Sequence, residues 1–438
     1  MIFSKISGLK FGNTCRFLYI VRLFLNFTKM NPQASQNIKS LIINALKSKE
    51  FIYLNKSRKK FMNHVLILFL SIKGRVNFLQ MERYGHYCEQ SYRESFKEEF
   101  NFFEFNKSMI ANLSKDVLIG FDPSYLSKSG KKTHGVGYFW SGVAGKAKWG
   151  LEMVGFAAID PILNTAFHLN AIQTPPAQEL IDSKLKLLDY YGSLITKNAE
   201  ELRKLSQYVV ADAYFSKLPF LEAVSKAKLF LISRLRDDSD LRYLYNGPMT
   251  GQKGAPKKYD GKVDFKSIDL NHFTLDYQET AMQVYGATLY SKAFKRKIKV
   301  AFVKYLKDAK VISTKIYCSS NIKQESLEIV TYYSSRFQME FVFRDAKQFT
   351  GVNTCEARSK EKLDFHINTA LTSVNLAKID WFSDVKNHKK PFSIADYKTH
   401  FNNELMINTF ISKFGINPNK PINKLIIRKL LNFGKIAA

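Results

Sequence analysis

The sequence predicts a mixed α/β fold preceded by a helical segment. Three observations carry this. Residues 35–105 follow a helical pattern; short apolar runs bounded by Gly, Ser and Lys begin at 116; helix-length patterns return between and after them. At 438 residues the chain can bury two or three cores. With 45% hydrophobic and 14% aromatic residues, its composition is that of a globular protein, not a disordered one.

The first 27 residues contain no acid and could pass for a targeting peptide, but Arg16 and Arg22 interrupt the apolar run and argue against a secretory signal. A basic arm over 1–34, or a true start at Met30, accounts for them equally. Over 35–105 four stretches read as helices: "NIKSLIINALKS", "KKFMNHVLILFLSIKG", "RVNFLQMERYG" and "CEQSYRESFKEEF". Gly74 and Gly85 separate the last three, which suits a helix-turn-helix DNA-binding domain. In that reading "CEQSYRESF" is the recognition helix and offers Gln90, Ser91, Arg93 and Glu94 to DNA; a plain helical bundle explains the pattern equally well.

From "DVLIGFD" (116–122) the period changes: a strand is expected to end at Phe121-Asp122, followed by the loop "PSYLSKSGKKTHG". "GVGYFWSG" (135–142) and "WGLEMVGFAAID" (149–160) read as two more strands and 183–205 as one long helix. "QYVVADAYF" (207–215) is another strand ending in a carboxylate, Asp212; a short helix near 218–227 and the strand "KLFLISRL" follow. Three antiparallel strands, a helix and parallel-type strands in this order match a ribonuclease-H-like core. Its first part is expected over 106–235 and its second over 321–385, with a β-rich insertion at 236–320 and a basic tail at 386–438. The insertion holds the basic loop "GPMTGQKGAPKKYDGK" and the strands "RKIKVAFVKYL" and "KVISTKIYC". Helix resumes near 322 and runs to 349, and a second helix covers 362–381.

The formal net charge is +29, from 67 Lys and Arg against 38 Asp and Glu. Such an excess repels itself, and a polyanion relieves it, so nucleic acid is the expected partner ahead of a membrane surface or a generically basic proteome. No apolar run reaches the roughly 18 residues that suggest a membrane span. The four cysteines (Cys15, Cys88, Cys318, Cys355) form no CxxC and fit no zinc spacing, which points to a reducing cytoplasm.

"TYYSSRFQMEFVFRDAKQF" (331–349) carries the chemistry. Tyr333, Arg336, Glu340, Arg344 and Lys347 are spaced 3, 4, 4 and 3 apart, so on a helix they share one face. Phe337, Phe341, Val342, Ala346 and Phe349 would pack the flank on a sheet. Taken alone the charges could be surface pairs worth about 0.2–0.5 kcal/mol each. Asp122 and Asp212 alter that reading, since carboxylates are poor strand formers and both end apolar strands. Converging with Glu340, they would repel one another unless cations intervened. Oxygen-only donors favour two Mg²⁺ ions, with Mn²⁺ able to substitute. Ions about 3.5–4 Å apart assist in-line phosphodiester displacement. The cations beside Glu340 are then expected to grip DNA phosphates instead of neutralising the glutamate.

With these residues in place the chain resembles DDE transposases of the insertion-sequence-four type, whose Tyr-x2-Arg-x3-Glu-x6-Lys signature is met by Tyr333, Arg336, Glu340 and Lys347. "GFDPSYLSKSGKKTHGVGYFWSG", "VVADAYFSK" and "CEARSKEKLDFHINTALTSVNLAK" also look like that group. The resemblance spans about residues 90–385; Lys315 departs from it where an acid is expected. It implies metal binding by Asp122, Asp212 and Glu340, and phosphate contacts from Tyr333, Arg336 and Lys347. It also implies a β-rich insertion and cut-and-paste transposition: nicking at transposon ends, hairpin formation and resolution, and strand transfer into target DNA. Double-stranded DNA as the partner and a homodimer in the synaptic complex are implied too. An extruded base is expected to stack on an aromatic of the insertion. The alternatives are a related nuclease without strand transfer and an inactive or domesticated protein that binds the terminal inverted repeats.

Around this site Arg344 and the loop lysines Lys128, Lys131 and Lys132 are expected near DNA. "SKSGKKT" lacks the earlier glycine of a phosphate loop, Tyr125 standing there. "GAPKKYDGK" reads as a further backbone contact and His366 as a core or helix-face histidine.

Overall fold

A computed structural model describes residues 33–111, 116–248 and 255–436. The arm expected over 1–34 lies outside them except for its last two residues, as does part of the loop "GPMTGQKGAPKKYDGK". Five helices come first: α1 (Gln33–Ala45), α2 (Lys56–Ser71), α3 (Phe78–Tyr84), α4 (Glu89–Ser95) and α5 (Phe102–Ile110). Asn55, Asn77 and Asn101 cap α2, α3 and α5 by accepting from backbone amides three residues on, which places the starts of these helices. The apolar run "VLILFLSI" (65–72) forms the largely buried C-terminal half of α2 and its cap residue Ile72.

The sheet follows. Strands β1 (Leu118–Ser127), β2 (Gly137–Ser141), β3 (Lys146–Asp160) and β4 (Thr165–Gln173) are antiparallel neighbours, with β2 and β4 sharing one edge of β3. Helices α6 (Ala177–Asp182), α7 (Leu187–Lys197) and α8 (Ala199–Leu205) lead to β5 (Tyr208–Ala211), which runs parallel to β1. Helix α9 (Leu218–Lys226) then crosses to β6 (Phe230–Leu235), parallel to β5. Strands β7 (Leu241–Leu244), β8 (Tyr259–Lys262), β9 (Thr274–Glu279), β10 (Met282–Ser291), β11 (Arg296–Lys307) and β12 (Lys310–Ser319) extend the same sheet, because β12 pairs with β6. Helices α10 (Ser326–Ser335), α11 (Phe337–Phe349), α12 (Lys360–Phe382), α13 (Ile394–Phe414) and α14 (Pro421–Leu431) complete the chain. The mixed sheet with its helices is consistent with a ribonuclease-H-like core.

Several expectations are corrected. Asp122 does not end its strand: β1 continues to Ser127, because β3 is long enough to pair with all of it. The third antiparallel strand of the central sheet is β4, absent from the sequence reading, while β2 pairs only with the outer end of β3, at Lys146–Gly150. The helix expected over 183–205 is α7 and α8, broken at Asn198, whose side chain folds back to the Leu194 carbonyl at 2.8 Å. The helix expected over 322–349 is α10 and α11. It tightens at Arg336, whose amide bonds to the Tyr333 carbonyl at 3.1 Å while its own carbonyl accepts from Met339 at 3.0 Å.

The core lies on both faces of the central strands. On one, Phe121 meets Phe156, Phe215 and Phe220 at ring separations of 5.2, 5.3 and 5.4 Å. All four are fully buried, each worth roughly 1.5–3 kcal/mol. Helix α2 does not stand apart from the core, for Ser373 of α12 bonds to the Leu66 carbonyl and Lys398 of α13 to that of Phe69. Helix α4, the candidate recognition helix, has only seven residues, with Tyr92 buried. Its polar side chains bond one another: Gln90 to Glu94 at 2.8 Å, Arg93 to Glu89, and Ser91 to Cys88.

Candidate active site

Strands β1 and β5 pair in parallel as far as Phe121 opposite Ala211. The next residue on each is an aspartate, so Asp122 and Asp212 sit side by side at the carboxyl edge of this pair. Asp122 stays in β1, opposite Gly155. Asp212 leaves its strand: its Oδ1 accepts from the Tyr214 amide at 2.8 Å, and Ser233 Oγ donates to its carbonyl at 2.8 Å.

Glu340 arrives on α11, which lies close against the sheet over two glycines. A Cβ at Gly155 would stand 2.6 Å from Phe343 Cζ, and one at Gly120 would stand 3.0 Å from Met339 Sδ. Glycine at both positions is what admits the helix. Met339, Val342, Phe343 and Ala346 form the buried flank; Phe337 and Phe341 were expected there, but Phe337 is 51% exposed and packs edge-on to the half-buried Phe341, because both lie on the side of α11 opposite that flank. Glu340 and Asp122 then face each other across Arg336. Its Nη2 donates to Glu340 Oε1 at 2.8 Å and its Nη1 lies 3.5 Å from Asp122 Oδ1. This corrects the expectation that the cations leave Glu340 alone: Arg336 neutralises it.

Burial raises the Asp122 carboxyl to about 7; Arg336 opposes the shift, and the charges of Asp212, Glu340 and Glu152 add to it. Asp212, Glu340 and Glu152 are therefore each close enough to Asp122 to repel it. Arg336 is itself held above the ordinary arginine value against its burial, by Asp122 first and then by Tyr333 and Glu340. Lys347 is lowered by burial and donates to Ser124 Oγ at 2.8 Å, two residues along β1 from Asp122. Tyr333 is raised by burial, and its ring lies 4.9 Å from that of Tyr317.

The other expected contacts divide. Lys131 and Lys132 are exposed, whereas Lys128 turns inward and donates to the Cys355 carbonyl. Arg344 is half-exposed, pairs with Asp345 at 3.1 Å and lies 4.4 Å over the Phe341 ring. His366 is a buried core histidine, its Nε2 2.9 Å from the Gly351 carbonyl. Glu152 was missed. It is buried on β3 and accepts from the Tyr191 hydroxyl, and its sequence signal was a lone acid within the apolar strand "WGLEMVGFAAID".

The donors suit a hard divalent ion, since they are all carboxylate oxygens whose mutual repulsion a cation relieves. Arg336 is the cation standing between Asp122 and Glu340. Among the described residues no three His, Cys, Asp or Glu side chains are gathered tightly enough in this arrangement to enclose one ion.

Residues 195–376 match the family described as transposase DDE domain. This stretch is a transposase DDE domain. It is a catalytic phosphoryl-transfer domain acting in DNA transposition, and domains of its kind generally use divalent metal ions. The matched span contains Asp212, Tyr333, Arg336, Glu340 and Lys347; Asp122 precedes it and reaches the DDE domain through the β1–β5 pairing. No curated protein matches the sequence. Among the described residues no helix is long and apolar enough to cross a membrane.

Proposed function

We propose that the chain is a DNA transposase of the insertion-sequence-four type, with Asp122, Asp212 and Glu340 as its catalytic carboxylates. The observation that carries this is the juxtaposition of two aspartates, each the first residue beyond the paired stretch of neighbouring parallel strands, with a glutamate delivered by a helix seated on glycines. Two divalent ions held by these carboxylates would activate the attacking oxygen and stabilise the leaving one. For three carboxylates to share ions, Arg336 must give up at least one of its two contacts. An Nη group released from a carboxylate would then be the donor it offers to a phosphate.

Lys347 keeps a buried charge beside Ser124 and Asp122, fitted to a phosphate at the scissile position. Tyr333 flanks the same edge near Asp212 and Arg234. Arg344, Lys131 and Lys132 serve the backbone farther out, and Lys128 serves it through the loop it anchors. In the reaction, water opens a phosphodiester at each transposon end and frees a 3′-hydroxyl. That hydroxyl attacks the opposite strand to close a hairpin, the hairpin is reopened, and the free 3′ end joins target DNA. A homodimer would bring two ends together.

The test is to incubate the protein and its Glu340→Gln variant with Mg²⁺ and the DNA that flanks the gene. Integrated product from the wild type, and end binding without cleavage from the variant, are expected. Cleavage without joining would leave a nuclease, binding without cleavage an inactive end-binding protein, and cleavage by the variant would remove Glu340 from the chemistry.

A further inference from the structure

Strand β2 pairs with the outer end of β3, beyond the stretch that β4 covers, and bears two of the most exposed aromatics among the described residues. Tyr138 is 70% exposed and Trp140 64%. Directly paired residues of antiparallel strands share a face. Asp122 pairs with Gly155, and on that face of β3 come Met153, Leu151 and Trp149. Trp149 pairs with Tyr138, and Ala147 with Trp140. The hairpin aromatics therefore continue the sheet face that carries Asp122 and Ser124. Tyr138 stands edge-on to Trp149, ring centres 5.4 Å apart. From Gly155 to Trp149 is six residues, roughly 20 Å of strand.

The charge of the hairpin and the loop before it has one sign. Between Asp122 and Glu152 the sequence has five lysines (Lys128, Lys131, Lys132, Lys146 and Lys148) and no acid. Lys131 and Lys132 are exposed on the loop, and Lys146 and Lys148, paired with Ser141 and Phe139, are exposed on the face away from the rings. The loop also bonds, through the His134 amide and the Arg358 carbonyl at 2.8 Å, to a segment of mixed charge that exposes Arg358 and Lys360 beside Glu356 and Glu361. An acidic or neutral protein surface would account for the lysines or for the rings, but not for both. Rings beside a one-signed basic field suit unpaired nucleotides, whose bases have free faces and whose phosphates are negative; a closed duplex hides those faces.

We propose that the β2–β3 hairpin is a stacking platform for unpaired DNA leaving the catalytic edge, with Tyr138 and Trp140 against bases and the loop lysines Lys131 and Lys132 along the backbone. This rests on the reading of the chain as a DNA transposase and adds a site about six stacked nucleotides from the scissile bond. The rings are exposed, so their loss leaves the core intact.

The experiment is fluorescence anisotropy without divalent ions. The full chain meets an oligothymidylate, a random-sequence duplex of equal length, and phosphatidylserine vesicles. Tyr138→Ala/Trp140→Ala is expected to bind the oligothymidylate at least tenfold more weakly, on the scale of about one to two stacked bases. Its duplex affinity should match the wild type, and Tyr138→Phe/Trp140→Phe should restore single-strand binding. The platform is refuted if the alanine variant keeps wild-type affinity for the oligothymidylate, or loses affinity for both DNAs alike. Vesicle binding that depends on the rings, without single-strand binding, would assign the hairpin to a membrane instead. Failure of the wild type to bind either DNA would overturn the transposase reading as well, whereas duplex binding without a ring-dependent single-strand contribution would overturn the platform alone.

Discussion

Gly155 controls how closely Glu340 approaches Asp122, and Gly155→Ala puts a number on that control. The added methyl would lie 2.6 Å from Phe343 Cζ, 2.8 Å from Cε1 and 3.2 Å from Met339 Cε. Phe343 and Met339 are buried, so neither ring nor thioether can swing into solvent. Helix α11 must lift, or the ring must leave its rotamer, and overpacking of this kind costs about 1–3 kcal/mol. The same lift carries Glu340 away from Asp122, which faces Gly155 across the strand pair. A displacement near 1 Å at a reacting centre can lower the rate by about a hundredfold. Urea denaturation should therefore show a lower midpoint at an unchanged slope, and cleavage measured under folding conditions should fall by about a hundredfold. Phe343→Leu combined with Gly155→Ala should recover part of both. A Gly155→Ala protein with wild-type midpoint and cleavage would refute the close seating of α11 as the device that brings Glu340 into place.

Other outcomes follow from the same coordinates. Lys131→Ala and Lys132→Ala should each flatten the dependence of log affinity on log salt by about one unit, measured by filter binding to duplex DNA. Lys128→Ala should leave that slope alone and lower stability, because its ammonium is spent on the Cys355 carbonyl; a reversed pattern would contradict these assignments. Acid should destabilise the fold. Burial lowers His64 and His168 to about 3 and His366 and His400 to about 4, so the folded chain refuses protons that the unfolded chain takes below about 6.5. Each histidine then costs about 2 kcal/mol at pH 5. Asp122 works the other way, since its raised value lets the folded state bind a proton first as pH falls below about 7. Its gain of about 3 kcal/mol by pH 5 is smaller than the combined histidine loss. The urea midpoint should fall between pH 7 and 5; a flat or rising midpoint would count against the neutral buried histidines.

Much of the site was legible because its residues obey local rules. Asp122 and Asp212 interrupt apolar strands, and Glu340 lies at fixed spacing from Tyr333, Arg336 and Lys347. What escaped depends on contacts remote in sequence. Strand β4 is "TAFHLNAIQ", and its place beside β3 is supported by Asn368 and Asn375, about 200 residues away, which bond to the backbone at 168 and 171. No local pattern announces that. The end of β1 was misjudged because Pro123 and Ser124 look like a turn, while β3 supplies partners as far as Ser127. Phe337 was placed inside because the side of α11 that meets the sheet is chosen by Gly120 and Gly155, which admit Met339 and Phe343 from strands remote in sequence. The bridging of Asp122 and Glu340 by Arg336 could be read as an i,i+4 pair on one side only. Its other half spans two elements.

The central claim is that Asp122, Asp212 and Glu340 together hold divalent ions. Mn²⁺ binding, followed by electron paramagnetic resonance on the full chain and on Asp122→Asn, Asp212→Asn and Glu340→Gln, tests it without relying on activity. The wild type should bind Mn²⁺ and each variant should bind it at least tenfold more weakly. Equal Mn²⁺ affinity in all four proteins would contradict the account.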